Sequence, residues 1–159
     1  MATITKKKVL NQAQFGGTPY GNVTALAYNL TTNAVGAFID SDVATGIALG
    51  DVVRVGVLPA GMKLLDSQLI VSDAFTAAVT TSIGFAYVDG VDSAAVPQSA
   101  TYFGTGLSLA ATGRLRNATV NAPVTLPKDA YVILTTAGAA NAAAGVADVI
   151  VEGVLTGAP

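Results

Sequence analysis

Two alternating apolar runs meet at a Pro-Gly turn, and that pairing limits what this chain can become. From Asp51 to Val57, Val53, Val55 and Val57 alternate with Arg54 and Gly56, the two-residue period of a strand with one buried face. Pro59 presets a turn φ and Gly61 accepts a positive one, so Leu58–Met62 reads as a tight reversal. Leu64–Val71 then reads as a second strand with Asp66 and Gln68 facing outward. Two strands cannot bury their own apolar face, so the rest of the chain must complete a pair of sheets.

The remaining segments carry the same grammar. Asn22–Leu30 alternates, with Thr24, Leu26, Tyr28 and Leu30 on one face and Val23, Ala25, Ala27 and Asn29 on the other. Ala34–Ile39 is expected to be its hairpin partner across Thr31–Asn33, followed by a loop, Asp40–Gly50, that turns Ile47 and Leu49 inward. Phe75 is placed as a plug at the core edge. Thr80–Val88 carries Ile83, Phe85 and Tyr87 on one face and ends at the Asp89-Gly90 turn signal. Ala100–Phe103 is expected to pair briefly and Gly104–Ala118 to be irregular. Pro123 makes Thr119–Leu126 an edge or bulged strand. Asp129–Thr136 is a buried strand, with Tyr131 and Ile133 facing one way and Val132 and Leu134 the other. Ala137–Val146 is a loop and Ala147–Leu155 the last strand. The prediction is an all-β fold: a jelly-roll-like β-sandwich of about eight strands with no long helix. Residues 22–159 form the single sandwich domain, and residues 1–21 an extended N-terminal arm, because Gly16, Gly17, Pro19 and Gly21 break any period there.

With 159 residues, one domain with a real core is expected. Charged residues are only 11% of the chain against 52% hydrophobic, about half the usual charged share of roughly 25%. A surface so poor in charge must be built from small residues or be covered by partners. There is no Cys and no His, which removes disulfides, thiol nucleophiles and imidazole bases. The net charge is −2, and without Lys6, Lys7 and Lys8 five basic residues stand against ten acidic ones. An acidic body is the wrong surface for nucleic acid. No apolar run reaches membrane-span length, and the lysine cluster is not followed by the apolar region of a secretory signal. The expectation is a soluble chain with no nucleic-acid or membrane partner.

No constellation of reactive residues stands out. Asp40, Asp42 and Asp51 have the oxygen chemistry of calcium ligands, but a D-x-D spacing without the rest of an EF-hand reads as turn-forming acids. Asp89 and Asp92 read the same way. Asp148 and Glu152 lie on the outward side of one strand, where solvation accounts for them. Tyr20, Tyr28, Tyr87, Tyr102 and Tyr131 could form a sugar-stacking patch, though without Trp core packing explains most of them. No catalytic residue, metal or cofactor is expected, and the chain is read as a non-enzyme.

Four segments carry a resemblance: Leu58–Phe75 (LPAGMKLLDSQLIVSDAF), Thr81–Gly90 (TSIGFAYVDG), Leu126–Gly138 (LPKDAYVILTTAG) and Val146–Val154 (VADVIVEGV). Together they resemble small all-β decoration (cement) proteins of tailed-bacteriophage heads, over roughly Val52 to Val154. Met1 to Gly50 has no such likeness. The resemblance implies a structural virion protein that binds the outside of an expanded capsid and stabilises it, with the major capsid protein and further copies of itself (a homodimer or homotrimer) as partners. It implies synthesis in the host bacterial cytoplasm and residence on the capsid exterior. The arm is then the expected contact, through Lys6, Lys7, Lys8, Phe15 and Tyr20, and removing residues 1–20 should weaken attachment and leave the fold intact. Two other readings are a head-fibre or receptor-type carbohydrate-binding module, using loops such as Val91–Phe103, and a tail component.

Overall fold

The computed structural model describes residues 1–7, 23–116 and 119–155. They form nine strands and no helix: β1 (Thr3–Thr5), β2 (Val23–Thr32), β3 (Val52–Leu58), β4 (Met62–Asp73), β5 (Thr80–Tyr87), β6 (Ser99–Ser108), β7 (Gly113–Arg116), β8 (Ala130–Ala137) and β9 (Gly145–Leu155). A five-stranded sheet in the order β1-β3-β8-β5-β6 packs on a four-stranded sheet in the order β2-β9-β4-β7. All pairings are antiparallel except β1 with β3. This is the predicted all-β sandwich.

Alternation decides what enters the core. Leu26, Tyr28 and Leu30 of β2, Leu64, Leu69 and Val71 of β4, and Val149 and Val151 of β9 point inward from one sheet. Val53, Val55 and Leu58 of β3, Ile83, Phe85 and Tyr87 of β5, and Val132 and Leu134 of β8 fill the core from the other. Each such side chain contributes about 1.5–3 kcal/mol on full burial. Phe85, Tyr102 and Phe103 stack edge to face in sequence, with centroids 5.4 and 4.9 Å apart. The turn between β3 and β4 is as expected: Met62 N–H donates to Pro59 O at 3.3 Å, and Gly61 has φ +77°.

Several expectations need correction. The first residues of the expected arm are part of the sheet, since Thr3–Thr5 pair with Val52–Arg54 and Ile4 is only 1% exposed. Removing residues 1–20 therefore deletes an edge strand and a core side chain. The rest of the arm, residues 8–21, lies outside the described residues. Ala34–Ile39 is not a strand. A Thr32–Phe38 bridge is all that pairs there, because Asn33 Oδ1 accepts from Val35 and Ala37 N–H and curls the chain into a turn. Ile47 is buried as expected, but Leu49 is 59% exposed. β6 runs well past Phe103 to Ser108 and β7 follows, where irregular chain was expected. Register shifts at Thr81/Ile83 and Ile83/Phe85 break the period that would have announced β6. Val57 does not share a face with Val53 and Val55, because a bulge between Arg54 and Gly56 sends it to the opposite side.

Candidate interaction surface

The outer faces of the two sheets differ in chemistry. On the four-stranded sheet a polar ladder crosses every strand. Thr31 Oγ1 donates to Asn29 Oδ1 (2.6 Å), and Asn29 Nδ2 donates to Asp148 Oδ1 (2.9 Å). Gln68 Nε2 donates to Glu152 Oε1 (3.2 Å), and Arg114 Nη1 donates to Gln68 Oε1 (2.6 Å). Arg116 Nε donates to Asp66 Oδ2 (2.6 Å), and this bond to a carboxylate raises the guanidinium pKa further. Exposed pairs of this kind add little stability. They keep the face hydrated.

The five-stranded sheet carries an apolar cluster on its outer face. Cross-strand pairing sets out three rows: Val57–Tyr131–Ala86, Arg54–Ile133–Gly84 and Val52–Thr135–Ser82. Tyr131 and Ile133 are 7% and 6% exposed although they face away from the core, because Val52, Val57, Ala86 and Val88 close around them. The Arg54 guanidinium carbon sits 4.6 Å from the Tyr131 ring centroid, a cation–π contact, and is the single charge in the three rows. Thr135 Oγ1 is buried without a hydrogen-bond partner. Sequence reasoning placed Tyr131 and Ile133 on a common side but missed this face. Its signal was that Asp129–Thr136 is apolar on both sides, and the bulge that adds Val57 has no mark in the sequence.

Of the residues expected to contact a capsid, Lys6 and Lys7 follow directly on β1, at the edge of this face. Lys6 N–H donates to Arg54 O at 3.3 Å and Lys7 N–H to Asp40 O at 2.5 Å. Lys8, Phe15 and Tyr20 lie outside the described residues.

Four of the acidic residues considered as ligands accept hydrogen bonds from within the chain. Asp51 accepts from Ala2 N–H (2.6 Å) and Ala48 N–H (3.0 Å), Asp42 from Thr5 N–H (2.8 Å), and Asp92 from Gln98 N–H (2.7 Å). Asp89 accepts from Lys128 Nζ at 2.7 Å, and this bond holds its carboxyl below the usual range. Among the described residues no group of three or more acids could hold a metal ion. No helix there is long and apolar enough to cross a membrane.

An open groove of about 270 Å³ lies between the 95–99 loop and the 121–124 segment, lined by Phe85, Val96, Pro97, Tyr102 and Asn121. Two of its polar groups are engaged within the chain: Tyr102 O–H donates to Ala122 O (2.9 Å), and Asn121 Nδ2 donates to Tyr102 O (2.8 Å).

No family model matches this chain, and no curated protein matches it. Its fold does match solved structures. A chain of the capsid of Ralstonia phage GP4 superimposes with a TM-score of 0.67 at 19% identity, covering 96% of this chain and 97% of that one. A chain of the capsid asymmetric unit of cyanophage Pam1 gives 0.54 at 18% identity, covering 90% and 94%. At this level of identity the shared property is the fold, over nearly the whole length of each chain.

Proposed function

We propose that this protein is a structural component of a phage virion that binds the outer surface of the capsid and stabilises the expanded head. The observation that carries the reading is the match, end to end, to a chain of similar length in a phage capsid. The chemistry agrees: the apolar cluster around Tyr131 and Ile133 suits a protein surface, and the polar ladder on the opposite side suits solvent. The five-stranded sheet faces the shell, with Lys6 and Lys7 at its rim and the remainder of the 1–21 arm, including Lys8, Phe15 and Tyr20, reaching an acidic site on the major capsid protein. Many copies, each held by modest contacts, reinforce the lattice through valency. The role is architectural rather than catalytic, and self-association as a dimer or trimer fits a symmetric shell.

The assignment of the face is tested by co-sedimentation with expanded, undecorated heads of the phage that encodes the protein. Ala86→Lys places a charge in the first apolar row and should leave the protein in the supernatant. Asp148→Asn, on the hydrated face, should sediment like the wild type. The opposite pattern would assign the other sheet to the shell.

A further inference from the structure

The four sheet edges are not equally protected against further pairing. β1 is three residues long, and β7 is four residues long with Arg114 and Arg116 on it. β6 is broken by register shifts, and its Tyr102 O is occupied by Thr119 Oγ1 and Asn121 Nδ2, each at 2.8 Å. Short strands, charges, bulges and covering loops are the usual ways to blunt an edge. Among the described residues, β2 from Val23 to Asn29 has none of them: it belongs to a ten-residue strand, uncharged and without proline, in unbroken register with β9, and only its end at Thr31 and Thr32 is met by another segment.

The open part of this edge is defined by one hydrogen bond. Ile39 N–H donates to Thr31 O at 2.8 Å from the side away from β9. The N–H and C=O of one strand residue point the same way and alternate along the strand. Val23, Ala25, Ala27 and Asn29 therefore direct their backbone groups outward with Thr31, while Thr24, Leu26, Tyr28 and Leu30 bond β9. Among the described residues nothing pairs with those outward groups, and the 37–39 segment closes the edge above them.

We propose that β2 pairs antiparallel with β2 of a second copy about a two-fold axis at Leu26, merging two four-stranded sheets into one. This register sets Val23 opposite Asn29 and Ala25 opposite Ala27, with each pair repeated by symmetry. Every outward N–H and C=O from Val23 to Asn29 then finds a partner, and a two-fold interface requires that kind of self-complementarity. The facing side chains on the outer surface are small and neutral. The acids on the neighbouring strand, Asp148 and Glu152, lie on β9. Across the axis they stand about three strand spacings apart, roughly 14 Å, beyond a Debye length of about 8 Å. This specifies the self-association above and does not depend on the capsid role, so a monomer that still decorates heads would overturn it alone.

Sedimentation equilibrium of the purified full chain tests it. The wild type should have twice the chain mass. Ala27→Pro removes an outward donor that β9 does not use, and should give a monomer. Ala25→Lys combined with Ala27→Lys sets like charges opposite one another on an exposed surface and should do the same, which keeps the test decisive if the proline variant fails to fold. A wild-type monomer, a trimer, or a dimer that persists in the folded variants would overturn the proposal.

Discussion

The ring of Tyr28 lies directly on Gly56: a β-carbon at residue 56 would stand 2.0 Å from Tyr28 Cδ1. From that position the Tyr28 hydroxyl donates to Val57 O at 2.5 Å, tying β2 of one sheet to the bulge in β3 of the other. Glycine is required here by contact rather than by φ. Gly56→Ala should destabilise the protein by about 1–3 kcal/mol, the range of core overpacking. Denaturant unfolding measures this, and an unchanged midpoint would mean the ring is not seated on β3.

The same tyrosine gives the fold a base-sensitive element. Burial raises the Tyr28 pKa above its ordinary value of 10, and burial also raises Tyr87 and Tyr102. An acid whose folded pKa exceeds its unfolded pKa contributes stability that is complete below the unfolded value and is lost as pH rises beyond it. Stability should therefore hold up to about pH 10 and fall above it. Ultraviolet titration should show these tyrosines ionising together with unfolding, whereas reversible ionisation of all five near pH 10 in the folded protein would contradict their burial.

Asn141 joins three loops. Its Oδ1 accepts from Thr76 N–H and Oγ1, both at 3.1 Å, while its Nδ2 donates to Thr32 Oγ1 (3.1 Å) and Ala143 O (2.9 Å). It is 3% exposed. Asn141→Ala orphans several of these partners at about 1–3 kcal/mol for each buried group left unsatisfied. A total loss near 3 kcal/mol is expected in chemical denaturation, with the 33–50 loop becoming the first site of proteolytic cleavage.

Ile4 separates the two roles expected of the N-terminal segment. Ile4→Ala should cost about 2–4 kcal/mol of stability, as other buried truncations do. Lys6→Ala with Lys7→Ala should leave stability within about 0.5 kcal/mol, as surface changes do, and weaken attachment to heads. A truncation of residues 1–20 mixes both effects and cannot distinguish them.

Most of the sandwich was legible because alternation is a local signal. Asn22–Leu30, Leu64–Val71, Thr80–Val88 and Ala147–Leu155 each announce a strand from sequence alone, although a register shift between Leu64 and Asp66 turns Leu64 into the core against the alternation that sets Asp66 and Gln68 outward. What sequence reading missed depends on partners distant in the chain. Thr3–Thr5 is too short to show a period and becomes a strand only because β3 is beside it. β6 was obscured by register shifts, and Val57 changed sides at a bulge that packs against the Tyr28 ring, far away in sequence. The apolar outer face was hidden for the same reason, since it is assembled from β3, β5 and β8. The lysines expected to make contact were visible as a cluster, but nothing in the cluster reveals its place beside Arg54.

The central claim is that the chain decorates a phage head, and the stoichiometry of binding tests it most directly. Purified protein should be titrated onto expanded, undecorated heads of the phage that encodes it, and the bound copies per head counted after sedimentation. The account predicts saturation at a number set by the icosahedral symmetry of the shell, together with greater resistance of the filled heads to heat. Absence of binding, or binding that rises without a plateau, would contradict it.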